Sequence, residues 1–206
     1  MPSSRQSVSA RGQARTSAVL THLDARGRAR MVDIGTKPET TRTATAEARV
    51  VMQPATLALV AAGSGKKGDV MATARLAGLS ALKRTAELIP LCHPVRVVGS
   101  DIEITLDDAS LRPVGLTIRA RVTAVDRTGV EMEAMVAATV AALTVYDMVK
   151  GVERGVTISP VRLLEKRGGR SGHWTADPTP FAAPAPRARR IPGRKVSRAE
   201  KVPARR

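Results

Sequence analysis

The stretch VRVVGSDIEITL (Val95–Leu106), then VGLTIRARVTAVD (Val114–Asp126), then TGVEMEAMVAATVAALTVYDMVKGVE (Thr128–Glu153) decides the fold. Ile102, Ile104 and Leu106 recur at every second position, as do Leu116 and Ile118, which is the period of a half-buried strand. After Asp126 the alternation stops and the residues from Met132 to Val149 are almost all apolar, the mark of a buried helix. Thr128 and Glu131 stand at capping-box spacing and predict its start; Gly155 predicts its end. Long strands that share a chain with long apolar helices in this order predict an α+β layer, an antiparallel sheet with helices packed on one face.

Working toward the N-terminus, Pro90 and Pro94 bracket Leu91-Cys92-His93 and stiffen it at both ends. Before it, Asp69 to Leu88 predicts a long helix with Val70, Ala74, Ala77, Leu79 and Leu82 in an apolar stripe. Gly63, Gly65 and Gly68 separate it from a short helix, Ala55 to Ala62, opened by Pro54. Ala44 to Met52 and Arg30 to Ile34 read as strands, the former with Ala46, Ala48, Val50 and Met52 on one face. Beyond Gly155, Val156 to Leu164 reads as a last strand.

The ends differ in kind. Residues 1–17 carry Arg5, Arg11 and Arg15 and no acid, and read as a disordered basic leader, with a transit peptide as the alternative. Residues 177–206 are rich in Pro, Ala and Arg and read as an extended, solvated basic tail. That leaves 18–176 as the one folded domain. Of the net charge of +16, the leader holds +3, the tail +7 and the domain +6. A domain that stays positive suits an anionic ligand. Aromatic residues make up 1% of the chain, Tyr146, Trp174 and Phe181, so the core has to be built from Val, Leu, Ile, Met and Ala. So lean a core gains from burial against other subunits. Cys92 is the one cysteine, which excludes an intrachain disulfide and suits a reducing cytoplasm. No apolar run reads as a membrane span.

Gly63-Ser-Gly-Lys-Lys-Gly68 has the G-x-G-x-x-G form, but a helix rather than a strand precedes it and no Ser or Thr follows Lys67, so neither the dinucleotide nor the phosphate-loop reading holds. What survives is a pair of lysines ahead of a helix N-terminus, where an anion is favoured, against the plainer reading of a solvated loop. His22, His93 and His173 with one cysteine lack zinc spacing, so no metal site is expected. His93, in its stiff loop, reads either as a ligand contact or as a structural imidazole. Asp147 and Lys150, three apart on a helix, read as an ion pair; on so apolar a helix the lysine is expected to be buried, with a lowered pKa suited to proton transfer. Several lysines without a Ser, His or Cys triad point to acid/base chemistry on a phosphorylated substrate.

Seven segments, in order, carry a resemblance: Leu20-Thr-His-Leu-Asp24, Arg30-Met-Val-Asp-Ile34, Lys67-Gly-Asp-Val70, Leu88-Ile-Pro-Leu-Cys-His-Pro94, Thr128-Gly-Val-Glu-Met-Glu-Ala134, Leu143-Thr-Val-Tyr-Asp-Met-Val-Lys150 and Gly168-Gly-Arg-Ser-Gly172. Over residues 20–174 the chain resembles the cyclic pyranopterin monophosphate synthases (molybdenum cofactor biosynthesis protein C). The resemblance implies a ferredoxin-like α+β fold, a hexamer made of dimers, and active sites at a subunit interface. It implies a lyase that converts a cyclised dihydro-GTP, supplied by a radical S-adenosylmethionine enzyme, to cyclic pyranopterin monophosphate with release of pyrophosphate. It makes Lys67, Asp147 and Lys150 catalytic, lines the substrate site with Leu91, Cys92, His93, Glu131 and Met132, and assigns Lys37, Arg42 and Lys166 to phosphates. It implies no cofactor firmly and leaves room for a divalent cation beside the pyrophosphate. Both basic tails fall outside the family pattern. The rival class is a basic nucleic-acid-binding protein, favoured by charge but lacking aromatic platforms and any reader motif.

Overall fold

The computed structural model describes residues 22–24, 26–63, 68–108, 110 and 112–177. The leader expected at 1–17, the tail expected at 177–206 (save Asp177) and the Ser64–Lys67 turn with its catalytic candidate Lys67 lie outside these residues. The elements run β1 (Thr40–Val51), α1 (Pro54–Ala61), α2 (Val70–Leu82), α3 (Thr85–Leu88), β2 (Val97–Leu106), β3 (Gly115–Asp126), α4 (Glu131–Val149), β4 (Thr157–Arg167) and β5 (Trp174–Thr175). The strands form one antiparallel sheet in the order β2-β3-β1-β4-β5. With its helices, this is the expected ferredoxin-like α+β fold.

Period-two alternation sets what each face of the sheet carries. Ala44, Ala46, Ala48 and Val50 of β1 lie opposite Val122, Ala120, Ile118 and Leu116 of β3, and all eight are buried. On the other face Glu47 pairs with Arg119 at 2.9 Å and Arg162 at 3.4 Å, and Arg49 clasps Asp107. The apolar face is covered by α4, whose Ala134, Ala137, Ala138, Ala141, Ala142 and Val145 are fully buried. By length and composition α4 could cross a bilayer; its buried face makes it the core helix. Alanine at so many positions lets elements approach closely. At Gly78 of α2, a Cβ would lie 2.9 Å from the Ala137 carbonyl oxygen and 2.5 Å from Ile102 Cδ1.

Several local expectations need correction. Arg30–Ile34 is not a strand: Val32 and Ile34 do alternate inward, but they line a cavity and find no strand partner. The helix expected over Asp69–Leu88 breaks after Leu82, where the buried Thr85 turns its Oγ1 onto the Leu82 carbonyl at 2.9 Å. The first turn of α2 is capped by the Asp69 carboxylate, which accepts from the Ala72 N–H at 3.0 Å, so the protein's own anion occupies that N-terminus. There is no capping box at Thr128 and Glu131. Instead α4 starts at Glu131, with Val130 as its N-cap and no side-chain cap. It ends at Val149 rather than Glu153, with Lys150 as C-cap. The hairpin-like β5 was not expected.

Candidate active site

The connection from β3 to α4 is the hinge of the site. Asp126 ends β3 and accepts from the N–H groups of Arg96 at 2.9 Å and Arg127 at 2.7 Å. Burial alone would push its carboxyl up; the two N–H groups and the charges of Arg96 and Arg127 together outweigh it and hold the group below the usual range. The neighbouring carbonyls, of Asp126 and Arg127, accept from Arg42 at 3.3 and 3.2 Å. Arg42 also lies against Gly169, where any Cβ would strike its guanidinium, and Gly169 itself has φ +71°, a conformation that favours glycine. Across the loop that Gly169 belongs to, Lys166 bonds the Ser171 hydroxyl, while Glu165 holds Arg167 at 2.6 Å and His173 at 2.7 Å.

Two cavities open on this connection. One, of about 670 Å³, is ringed by Lys37, Arg42, Arg127, Lys166, Arg167 and Arg170. The other, of about 540 Å³, is lined by His22, Leu91, Cys92, His93, Glu131 and Met132 among others. Lys37, Thr128, Gly129 and Glu131 belong to both. Glu131 folds back over Gly129, where a Cβ would collide with its carboxylate. Lys37, Arg42, Leu91, Cys92, His93, Glu131, Met132 and Lys166 are thus gathered into two adjoining hollows, one cationic and one mixed.

Asp147 and Lys150 are elsewhere. They sit at the far end of α4, where Lys150 Nζ meets Asp147 Oδ1 at 2.7 Å. At 1.5 Å per residue, Lys150 is roughly 28 Å along the helix from Glu131. The lysine is exposed in this single chain, not buried as expected, and its bond to Asp147 holds the ammonium above its ordinary value. The helix is apolar, but its last turn aims these two side chains outward. Gly78 of α2 faces Ala137 and Ala141 in the middle of α4, and Cys92, in the loop after α3, meets Glu133 near the start of α4.

Sequence reading missed Arg127, Arg170, Ser171 and Thr128 as cavity residues. All lie in or beside the quoted segments; a net of adjacent basic and hydroxyl residues was the available signal. It also passed over Glu133. Two positions on from Glu131, this residue is turned about 200° around the helix and faces inward, where an acid is not expected.

Residues 31–169 match the model of the MoaC family. A cyclic pyranopterin monophosphate synthase from Thermomicrobium roseum is 57% identical over 157 residues, covering 76% of this chain and 93% of its own. Those of a Methylobacterium species and of Chloroflexus aggregans are each 55% identical, covering 78% and 75% of this chain and 99% and 92% of theirs.

Proposed function

Because the chain belongs to the MoaC family, we propose that it is a lyase of molybdenum cofactor biosynthesis, converting cyclised dihydro-GTP to cyclic pyranopterin monophosphate and releasing pyrophosphate. One observation carries the reading into this chain's own geometry: a cationic hollow and a thiol- and imidazole-lined hollow share one wall. A substrate with a highly charged phosphate end and a heterocyclic end has the same division. Lys37, Arg42 and Lys166 hold phosphates, and Arg127 and Arg170 add to the field that stabilises the departing pyrophosphate. Leu91, Cys92, His93, Glu131 and Met132 receive the ring system.

Opening the five-membered ring, building the new ring and closing the cyclic phosphate each need protons moved, and Lys67, Asp147 and Lys150 carry them. The separation along α4 supports a site shared between chains: one copy gives the two hollows, another gives the far end of its α4. The working form is a homo-oligomer, a hexamer made of dimers, in the cytoplasm, fed by a radical S-adenosylmethionine enzyme. It needs no resident cofactor; a divalent cation accompanies pyrophosphate at most. Incubation of the purified protein with cyclised dihydro-GTP tests the reading. Formation of the pterin product with one pyrophosphate is expected, and no turnover under reducing, anaerobic conditions overturns it. Chelator in the same assay separates an assisted from an unassisted release.

A further inference from the structure

Glu133 is the one charged residue type in the described core. It is 2% exposed, and its Oε2 is buried with no hydrogen-bond partner. Its Oε1 lies 3.7 Å from Cys92 Sγ, within reach of the thiol proton. Cys92 in turn lines the smaller cavity between Leu91 and His93. A buried carboxyl is kept in a fold only where it is satisfied or has work to do; beside its own backbone N–H, the carboxyl meets Cys92, a residue that the proposed substrate touches. Burial raises the Glu133 carboxyl, and burial with the adjacent acid pushes the Cys92 thiol up to about 11. The other titratable groups facing this pair are Glu131 on α4, Asp126 at the end of β3 and His93 on the loop, with Lys37 and His22 across the cavity.

We propose that Glu133 is a positioning residue for the ring-binding hollow: its carboxyl accepts the Cys92 S–H, ties the Leu91–His93 loop to the first turn of α4, and keeps the sulfur protonated toward the substrate. The role rests on the proposed reading of that hollow as the ring-binding end of the site. Pro90 and Pro94 stiffen the loop along the chain, but only the Cys92–Glu133 contact fixes it side-to-side to α4 among the bonds its side chains make. Loss of the contact lets the thiol turn and the hollow widen without touching the phosphate end.

The chain has one cysteine, so thiol labelling reads this contact directly and without substrate. The full-length protein is labelled with a thiol-specific alkylating reagent across a pH series, as wild type, Glu133→Gln and Glu133→Ala. Removing the negative charge lowers the inflection by about one pH unit, or about tenfold faster labelling at a fixed pH below it. Turnover of cyclised dihydro-GTP is measured on the same proteins. The amide of Glu133→Gln still accepts the S–H and keeps KM within a few-fold, whereas Glu133→Ala raises KM at least tenfold with a smaller change in kcat. In a Cys92→Ala background the difference between Gln and Ala at 133 disappears. Labelling profiles that coincide in all three proteins overturn the proposal, as does an unchanged KM in Glu133→Ala or a Gln–Ala difference that persists without Cys92. Should Glu133→Ala not fold, the labelling profile of Glu133→Gln against wild type still decides it, and coincident profiles overturn the proposal. If wild type does not turn over, the functional reading fails while the labelling arm still judges the contact.

Discussion

At the scale of single residues, lysine identity is the sharpest question. Arginine keeps the charge but does not release its proton at working pH. If Lys67 and Lys150 move protons, Lys67→Arg and Lys150→Arg lose on the order of 10²–10⁴-fold in turnover, close to their Ala counterparts. If Lys166 only holds phosphate, Lys166→Arg keeps most of the rate. The measurement is turnover by each variant beside a check of oligomer size, and near-full rates at 67 and 150 with Arg sink the acid/base role. Lys150 makes the question pointed, because in the single chain its pair with Asp147 favours the charged form. On the proposed shared site, proton donation at neutral pH would depend on what a neighbouring chain and the substrate add around it. The lining of the two hollows was partly legible in the sequence, which singled out Lys37, Lys166, the thiol and the imidazole. Their environment was not. Whether Lys150 is buried depends on which way the last turn of α4 faces, and the apolar composition of the helix does not encode that.

At the scale of elements, close approach and half-buried pairs set the stability. Gly78→Ala adds a methyl that meets Ile102, the Ala137 carbonyl and Ala141. Alanine favours an isolated helix by about 1 kcal/mol over glycine, yet the overpacking costs about 1–3 kcal/mol. A lowered denaturation midpoint is expected; a raised one would mean that α2 and α4 have slack. The Arg49–Asp107 pair makes a separate test. Its hydrogen bonds to Arg49, helped by the Gly115 N–H at 2.8 Å, hold the Asp107 carboxyl below its ordinary value. A depressed folded pKa means the contribution is complete above the unfolded value of about 4 and is lost as pH falls through the folded one. Asp107→Asn should cost about 1–3 kcal/mol at pH 7, and the gap to wild type should shrink in strongly acid solution, as denaturant midpoints at both pH values will report. Period-two alternation made β1, β2 and β3 readable to within a few residues. It failed at Val32 and Ile34, where inward-facing side chains line a hollow, and capping spacing failed at Thr128, because Glu131 folds over Gly129 instead of bonding back.

At the scale of the whole molecule, candidates gathered from one chain fall into two groups separated by the length of α4. Mixing two inactive proteins tests whether they meet between chains. His93→Ala damages one end and Lys150→Ala the other; co-assembled one to one, about a quarter of the sites carry two intact halves, and activity returns to that order. No recovery after verified co-assembly argues for sites within single chains. A protein lacking residues 1–17 and 177–206 should keep turnover while any affinity for nucleic acid falls; loss of turnover in a folded, assembled truncation would overturn that division.

A site pooled from two chains has a further consequence, in the law of mass action. Such a site exists only while the chains that compose it are associated, so catalytic power per milligram is not a fixed property of the polypeptide. On dilution below the dissociation constant of the assembly, rate would fall faster than protein concentration, approaching its square when two chains suffice. Substrate that bridges both halves would oppose this, drawing dispersed chains together and reviving dilute enzyme after a lag. On the proposed shared site, the distance between the two ends of one helix would set how much of this protein a cell has to make before it works at all.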